Sequence, residues 1–247
     1  MKERVGILGY GEIGSSLAKV YSSHSDSTVL IKDLDRDDGL EKLDILNICI
    51  PFKDHEQFST AVLKQIEYSK PKVTIIHSTV TPGTTNIISD VSEANVVHSP
   101  VRGVHPNLYE GLMTFVKFIG SDNSEATHLA KEHIESLGIR VELCSSSRAT
   151  ELGKLLSTTY YGVAIAWHAE MKRICDHFHV SFDETVTEFN KTYNEGYEKL
   201  GKENVIRPVL FPPEGAIGGH CVIPNANLLD KLFFSEAIKL VLKYEDS

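Results

Sequence analysis

The chain has no apolar run long enough to cross a bilayer, no cluster of Lys and Arg, no Cys-x-x-Cys pair, no internal repeat and no low-complexity tract. Each absence removes a class of protein. A spanning helix needs about 20 consecutive apolar residues, so none is expected. The first residues run straight into an apolar strand without a signal-like region, which gives the expectation of a cytoplasmic protein. The four cysteines, Cys49, Cys144, Cys175 and Cys221, lie far apart, so neither a disulfide framework nor a zinc knot is expected and no metal site is assigned. With 25 Lys and Arg against 34 Asp and Glu the net charge is -9, which opposes a nucleic-acid groove and favours solubility.

What is present is an ordinary globular composition, 41% hydrophobic and 24% charged over 247 residues. That is enough for one large domain, or for one domain with a helical appendage. The most informative stretch is Val5 to Asp35. An apolar run, Val5 to Leu8, ends at Gly9-Tyr10-Gly11-Glu12-Ile13-Gly14. An amphipathic segment with Leu17, Ala18 and Tyr21 follows, then a second apolar run from Thr28 to Ile31. This order is strand, glycine turn, helix, strand, the context that a dinucleotide fingerprint requires. Gly9 permits a tight turn, Gly11 admits a pyrophosphate to the backbone, and Gly14 allows the helix to pack closely on the strand. The helix N-terminus offers unpaired N–H groups and a positive dipole end to phosphates. Asp33, at the end of the second strand, suits the ribose hydroxyls and repels a 2'-phosphate, so NAD is expected over NADP even with Lys32 and Arg36 beside it.

Further along, Asp33 to Asp44 is too short for a full crossover helix. Asp44 to Pro51 is a buried strand of the parallel-sheet kind, and Pro51 at its end joins the cofactor-lining candidates. Asp54 reads as the N-cap of a helix carrying Phe58, Val62, Leu63 and Ile66. The next strand, Val73 to His77, delivers Ser78 and Thr79 to the carboxyl edge of the sheet, where ligands bind. Helix capping explains those two hydroxyls equally well. Strands are expected at Asn95 to His98, Phe115 to Ile119 and Arg140 to Cys144, with a helix from about Glu125 to Leu137. The fold class is therefore α/β, a Rossmann-type doubly wound, mainly parallel sheet, followed by a helical domain. The boundaries are 1–145 for the cofactor domain and 146–247 for a helical domain of dimerisation and substrate contact. In the latter, apolar periodicity predicts one or two helices over Arg148 to His179, another over Phe182 to Leu200, and a last helix from about Ala226 to Tyr244.

With Glu151-Leu152-Gly153-Lys154-Leu155 in the long helix and Gly215-Ala216-Ile217-Gly218-Gly219-His220-Cys221-Val222-Ile223-Pro224 in a late loop, the chain resembles the UDP-glucose/GDP-mannose dehydrogenase family, closest to the branch acting on UDP-N-acetylated amino sugars. The order of landmarks matches too, including Ser78-Thr79-Val80-Thr81-Pro82-Gly83-Thr84-Thr85. The resemblance implies an NAD-dependent oxidation of a sugar alcohol. By residue, it implies a nucleophilic role for Cys221, oxyanion stabilisation by Lys154, and a contact of Thr79 near the nicotinamide or a hydrolytic water. Departures accompany it: Thr158 stands where the family has asparagine, Asn225 where it has aspartate, and Pro100-Val101 where it has Pro-Glu. The family's further α/β domain is not expected after the last helix, which suggests a smaller substrate, a second subunit completing the pocket, or loss of the family reaction.

Arg102 and His105 are candidates for an anionic substrate group, with a surface or capping role as the alternative. His220 is a candidate for tuning the Cys221 thiol, and Thr158 and Asn225 for substrate contact. Three functions remain open: a nucleotide-sugar dehydrogenase, a two-electron dehydrogenase of β-hydroxyacid type, and a non-catalytic NAD-binding accessory or sensor. The apolar residues of the long helix, Tyr160, Tyr161, Trp167 and Met171, suggest a homodimer, with intramolecular burial as the alternative.

Overall fold

The structure is a computed structural model and describes residues 2–103, 106–218 and 221–245. His105 and His220, both candidates above, lie outside the described residues. The chain divides into two compact units, Met1–Lys154 and Leu155–Ser247.

The first unit is built on β1 (Arg4–Leu8), α1 (Glu12–His24), β2 (Thr28–Asp33), β3 (Arg36–Asp37), β4 (Ile45–Ile48), α2 (His55–Ser69), β5 (Val73–Ile76), α3 (Thr84–Ser92), β6 (Val96–His98), α4 (Leu108–Thr114), β7 (Lys117–Gly120), α5 (Ser124–Ser136) and β8 (Val141–Cys144). The strands form one sheet in the order β3-β2-β1-β4-β5-β6-β7-β8. Pairing is parallel from β2 through β6, antiparallel where β3 joins β2 and where β7 joins β6, and parallel again between β7 and β8. The chain leaves β1 for β2 on one side and later returns to β1's other side with β4. That reversal is the switch point at which such sheets bind ligands.

Alternation along the strands produces the two-sided core. Val5, Ile7, Ile45, Val73 and Ile75 join a cluster with α1, α4 and α5 residues such as Leu17, Val20, Leu112 and Ile134. Leu46, Ile48 and Ile76 face the other way, onto Phe58, Val62 and Ile66 of α2 and Ile88 of α3. β4 and β5 are buried at every position, as central strands covered on both faces must be. Two small elements escaped the sequence reading. β3 is a two-residue antiparallel turn-back inside the Asp33–Asp44 connection, and α4 follows the proline-bearing segment.

The second unit contains most of α6 (Ser147–His177), a π-helical turn (Asp183–Thr187), α7 (Glu188–Lys199), α8 (Val222–Asp230) and α9 (Glu236–Leu242). The long segment is a single 31-residue helix. The last helix, expected as one piece over Ala226 to Tyr244, is two. The break lets Ile238 and Val241 of α9 fold onto the cluster holding Val222, Ala226 and Leu229 of α8, which one straight helix would have kept apart. Gly162 of α6 sets how closely they pack, since a Cβ there would lie 2.6 Å from Val222 Cγ1 and 3.2 Å from Val241 Cγ1.

Candidate functional site

The glycine turn leaves β1 with Gly9 at φ +94°, a conformation costly for any side chain, and its Cβ would strike the Cys49 carbonyl carbon at 2.8 Å. A Cβ on Gly14 would stand 2.0 Å from the Gly9 carbonyl oxygen, so α1 meets the turn backbone to backbone. Gly11 differs: among the described residues, nothing beyond its own chain neighbours lies within 4 Å of the position its Cβ would take. Packing inside the chain does not demand that glycine, whereas a phosphate approaching the backbone does. Gly11 is also the N-cap of α1, and no side chain caps it, which presents the positive end of the helix to an anion.

Asp33 closes β2 exposed to solvent, with Oδ2 accepting from the Tyr10 N–H at 2.6 Å and Oδ1 from the Leu34 N–H at 2.7 Å. Its carboxylate retains further lone pairs for sugar hydroxyls. The two neighbouring cations are engaged elsewhere. Lys32 pairs with Asp37 at 2.9 Å and Arg36 with Asp38 at 2.7 Å, while the Arg36 guanidinium rests 5.6 Å from the Tyr10 ring centre.

The rest of the carboxyl edge is cross-tied. Ser78, buried at the end of β5, donates to the Ile50 carbonyl at 2.6 Å and so binds that end to the loop carrying Pro51, which is exposed. Thr79 is half-buried beside it. The following turn is held by Glu151, 0% exposed, whose carboxylate accepts from the Gly83 N–H at 2.6 Å, the Thr85 N–H at 2.9 Å and the Thr85 hydroxyl at 2.7 Å. Negative charge on the N-terminus of α3 is favourable there. The same contact fixes α6 one turn before Lys154, whose Nζ donates to the Val101 carbonyl at 2.9 Å. Val101 itself is buried and apolar, and Arg102 is exposed with its guanidinium stacked over Phe115 and Phe118 at 5.3 and 5.6 Å.

A polar chain, buried beyond its exposed first member Glu3, runs through the sheet toward this edge and was not among the sequence expectations. Glu3 meets His133, His133 meets the Tyr21 hydroxyl at 2.7 Å, and that hydroxyl accepts from Asn47 at 3.0 Å. His77 then lies between Asn47 at 2.8 Å and the Ser99 carbonyl at 3.1 Å. Lys117, 3% exposed, donates to the same Ser99 carbonyl and to that of Pro100 at 3.1 Å. Burial pulls its ammonium down to about 7. Burial likewise takes His98 down to about 3, and pushes the Cys49 thiol up to about 12. The signals available in sequence were a lysine opening an apolar strand and a glutamate one turn ahead of Lys154.

In the second unit, Cys221 is half-buried at the N-cap of α8, where the helix dipole favours negative charge. Asn225, one turn on, gives its N–H to the Cys221 carbonyl at 3.1 Å, and its side-chain Nδ2 is buried without a hydrogen-bond partner among the described residues. Thr158 is half-buried on α6. Among the described residues, no group of His, Cys, Asp and Glu is arranged to hold a metal ion, and no helix is long and apolar enough to cross a membrane. A broad concavity of about 1210 Å³ lies at the opposite, amino edge of the sheet, lined by Lys64, Lys70, Lys72 and Asn95. It is shallow, and the residues with chemistry are elsewhere.

A mainly parallel, doubly wound sheet with a glycine turn at its switch point and an acid closing β2 defines the Rossmann-type fold. No family model matches the chain. It is related in sequence to nucleotide-sugar dehydrogenases. It is 27% identical over 197 residues to the UDP-N-acetyl-D-mannosamine dehydrogenase of Methanocaldococcus jannaschii, covering 74% of this chain and 43% of that protein. It is 24% identical over 220 residues to the enzyme of that name from Methanococcus maripaludis, covering 86% and 46%. The chain thus spans less than half the length of these curated relatives. Among solved structures, UDP-D-ManNAc dehydrogenase from Pyrococcus horikoshii superposes with a TM-score of 0.78 at 19% identity, over 98% of this chain and 68% of that one. The 3-hydroxyisobutyrate dehydrogenase of Mycobacterium tuberculosis gives 0.72 at 14% identity, over 98% and 92%.

Proposed function

We propose that the chain is an NAD-dependent oxidoreductase acting on an alcohol carbon of a sugar or sugar derivative, with a nucleotide sugar as the leading substrate class. The observation that carries this reading is the Lys154 ammonium held at the carboxyl edge of the sheet, on a helix locked by Glu151 to the loop that carries Ser78 and Thr79. NAD, when bound, supplies the hydride acceptor. Gly9, Tyr10, Gly11, Glu12, Ile13 and Gly14 would hold its phosphates, and Asp33 its adenosine ribose. The uncrowded Gly11, the uncapped α1 and the pairing of Lys32 and Arg36 with their own carboxylates support NAD over NADP.

Lys154 would orient the alcohol and stabilise negative charge on its oxygen as the hydroxyl proton passes to solvent water. Thr79, half-buried beside Ser78, is the candidate hydroxyl for the nicotinamide or a hydrolytic water. Cys221, presented at a helix N-terminus, would form a C–S bond to the aldehyde carbon as its thiol proton passes to the oxygen, and oxidation of that adduct would take a second NAD. Asn225, with a buried amide lacking a partner among the described residues, suits a polar substrate group. The reading includes a homodimer formed by the second unit and allows another subunit to contribute to the substrate pocket. Support for the homodimer lies in Tyr160, Phe178 and Phe189, which are 73%, 68% and 71% exposed.

A single two-electron oxidation, of β-hydroxyacid type, is the second reading. It is favoured by the apolar Val101 and the amide Asn225 at positions where the related family carries carboxylates. Titration with NAD and NADP, followed by NADH formation over a panel of UDP-sugars and hydroxyacids, tests both. Loss of turnover in Cys221→Ala supports the covalent route, and retained turnover supports the two-electron one. NAD binding without turnover on any substrate would leave an accessory or sensor protein.

A further inference from the structure

We propose that Lys117 is a positioning residue for Lys154: the two ammonium groups grip three successive carbonyls of the segment leaving β6, so Lys117 decides where the Lys154 ammonium stands. The inference deepens the oxidoreductase reading and rests on it for the chemical role of Lys154.

The geometry begins with the sheet. β7 runs antiparallel to β6 with His98 opposite Gly120, which brings Lys117, the first residue of β7, alongside the segment that continues β6 at the carboxyl edge. Lys117 Nζ donates to the carbonyls of Ser99 and Pro100, and Lys154 Nζ to the next one, Val101. The start of this rail is tied to the sheet. Pro100 has a fixed φ and no N–H. Ser99 donates its N–H to the Ile76 carbonyl at 2.8 Å, and its own carbonyl is shared with His77. A lysine buried to 3% exposure is rare, because an ammonium loses far more hydration than carbonyls restore. An apolar side chain at this strand position would bury more easily, so the residue's value lies in what it holds.

Among the described residues, the titratable groups facing Lys117 are the Cys49 thiol, His77, His98 and Lys154. Burial is the largest influence on its proton; only an ionised Cys49 would oppose it, and the charge of Lys154 drives the ammonium lower. The thiol of Cys49 stays neutral near pH 7, since burial lifts it to about 12. Around neutral pH the rail therefore changes from carrying two ammonium groups to carrying one, and the repulsion between them disappears with the Lys117 proton.

The test uses the full chain with lysines labelled with ¹³C at Cε, titrated from roughly pH 5.5 to 10 across the reference range of lysine. Lys117→Met, Lys117→Arg and, for assignment, Lys154→Met accompany the parent protein. The Lys154 signal is expected to show a step at the Lys117 titration, near 7. The step should vanish in Lys117→Met and in Lys117→Arg, because guanidinium does not titrate there. In turnover, Lys117→Met should lower kcat by about tenfold with NAD affinity unchanged, as misplacement of a reacting group does. Lys117→Arg should keep most of the rate and lose the inflection. An identical Lys154 titration in parent and variants would overturn the proposal. If Lys117→Met does not fold, Lys117→Arg decides the question by the same signal. If the parent turns over no substrate, the oxidoreductase reading falls, and the spectra still decide whether one lysine places the other.

Discussion

The two units satisfy their residues in opposite ways. The first encloses both faces of its sheet in clusters of its own and runs a polar chain from the exposed Glu3 through buried His133, Tyr21, Asn47 and His77 to Lys117. The second has a compact cluster beneath α8 and α9, yet α7 contributes no buried residue, and Tyr160, Phe178 and Phe189 stand in solvent. A helix with nothing buried derives little stability from its own chain. The first unit is thus specified internally, while the second carries apolar surface that only another surface can cover.

The sharpest way to break the contrast is inside the glycine turn. Gly14→Val places atoms where the Gly9 carbonyl already is, 2.0 Å from the first added carbon, and should destabilise the first unit by more than about 4 kcal/mol, seen as loss of its cooperative unfolding transition. Gly11→Ala adds a methyl to open space and should change stability by less than about 1 kcal/mol. It should weaken NAD by about tenfold or more, because the methyl occupies the phosphate's approach. Equal effects of the two substitutions on stability would refute the separate roles assigned to them.

Next in size is the anchor between α6 and α3. Glu151→Gln keeps the shape and one acceptor oxygen but loses the charge on the α3 N-terminus and points an amide at an N–H donor, for a cost of about 2–3 kcal/mol by chemical denaturation. NAD affinity should fall little, while turnover should fall more, because Lys154 sits on the loosened helix.

Acid should separate the units. His98 is neutral in the fold down to about 3, against 6.5 when unfolded, so below pH 6.5 the unfolded chain takes up a proton that the fold refuses. Stability of the first unit should decline from pH 6.5 downward, by about 3 kcal/mol at pH 4.5 from this residue. In the second unit Glu170 is held down to about 2 by Lys243, Tyr244 and Arg173. Its contribution is complete above 4.5, the value for a free side chain, and is lost only between 4.5 and 2. Segment-resolved hydrogen exchange at pH 6.5, 5.5 and 4.5 should find the sheet weakening first. A uniform loss would mean the two units unfold as one.

How much of this was legible follows from the same contrast. The strands and helices of the first unit could be read because alternating apolar residues such as Val5, Ile7 and Ile75 have a period, and the glycine turn has a fixed order. Glu151, His98 and Lys117 had none. Their partners lie far along the chain, Gly83 for Glu151 and Ser99 for Lys117, and only the sheet brings them together. The break between α8 and α9 was hidden for a related reason: Ala226, Leu229, Ile238 and Val241 keep helical spacing through Lys231 to Ser235, while the packing against α6 at Gly162 selects a hairpin.

The smallest effect on the fold should come from the most exposed residues, and that is its value as a test. Tyr160→Ser with Phe189→Ser removes side chains that are 73% and 71% exposed, so a monomer should lose no more than about 0.5 kcal/mol per site. If the second unit is the dimer surface, sedimentation should show the parent as a dimer and the double variant shifted toward monomer, with NAD affinity of the first unit unchanged. The unfolding midpoint of the second unit should also become independent of protein concentration, because association no longer contributes to it. A parent that sediments as a monomer when dilute would mean that this surface is covered by a different chain, or by none, and the homodimer would fall while the cofactor turn and the lysine rail stood.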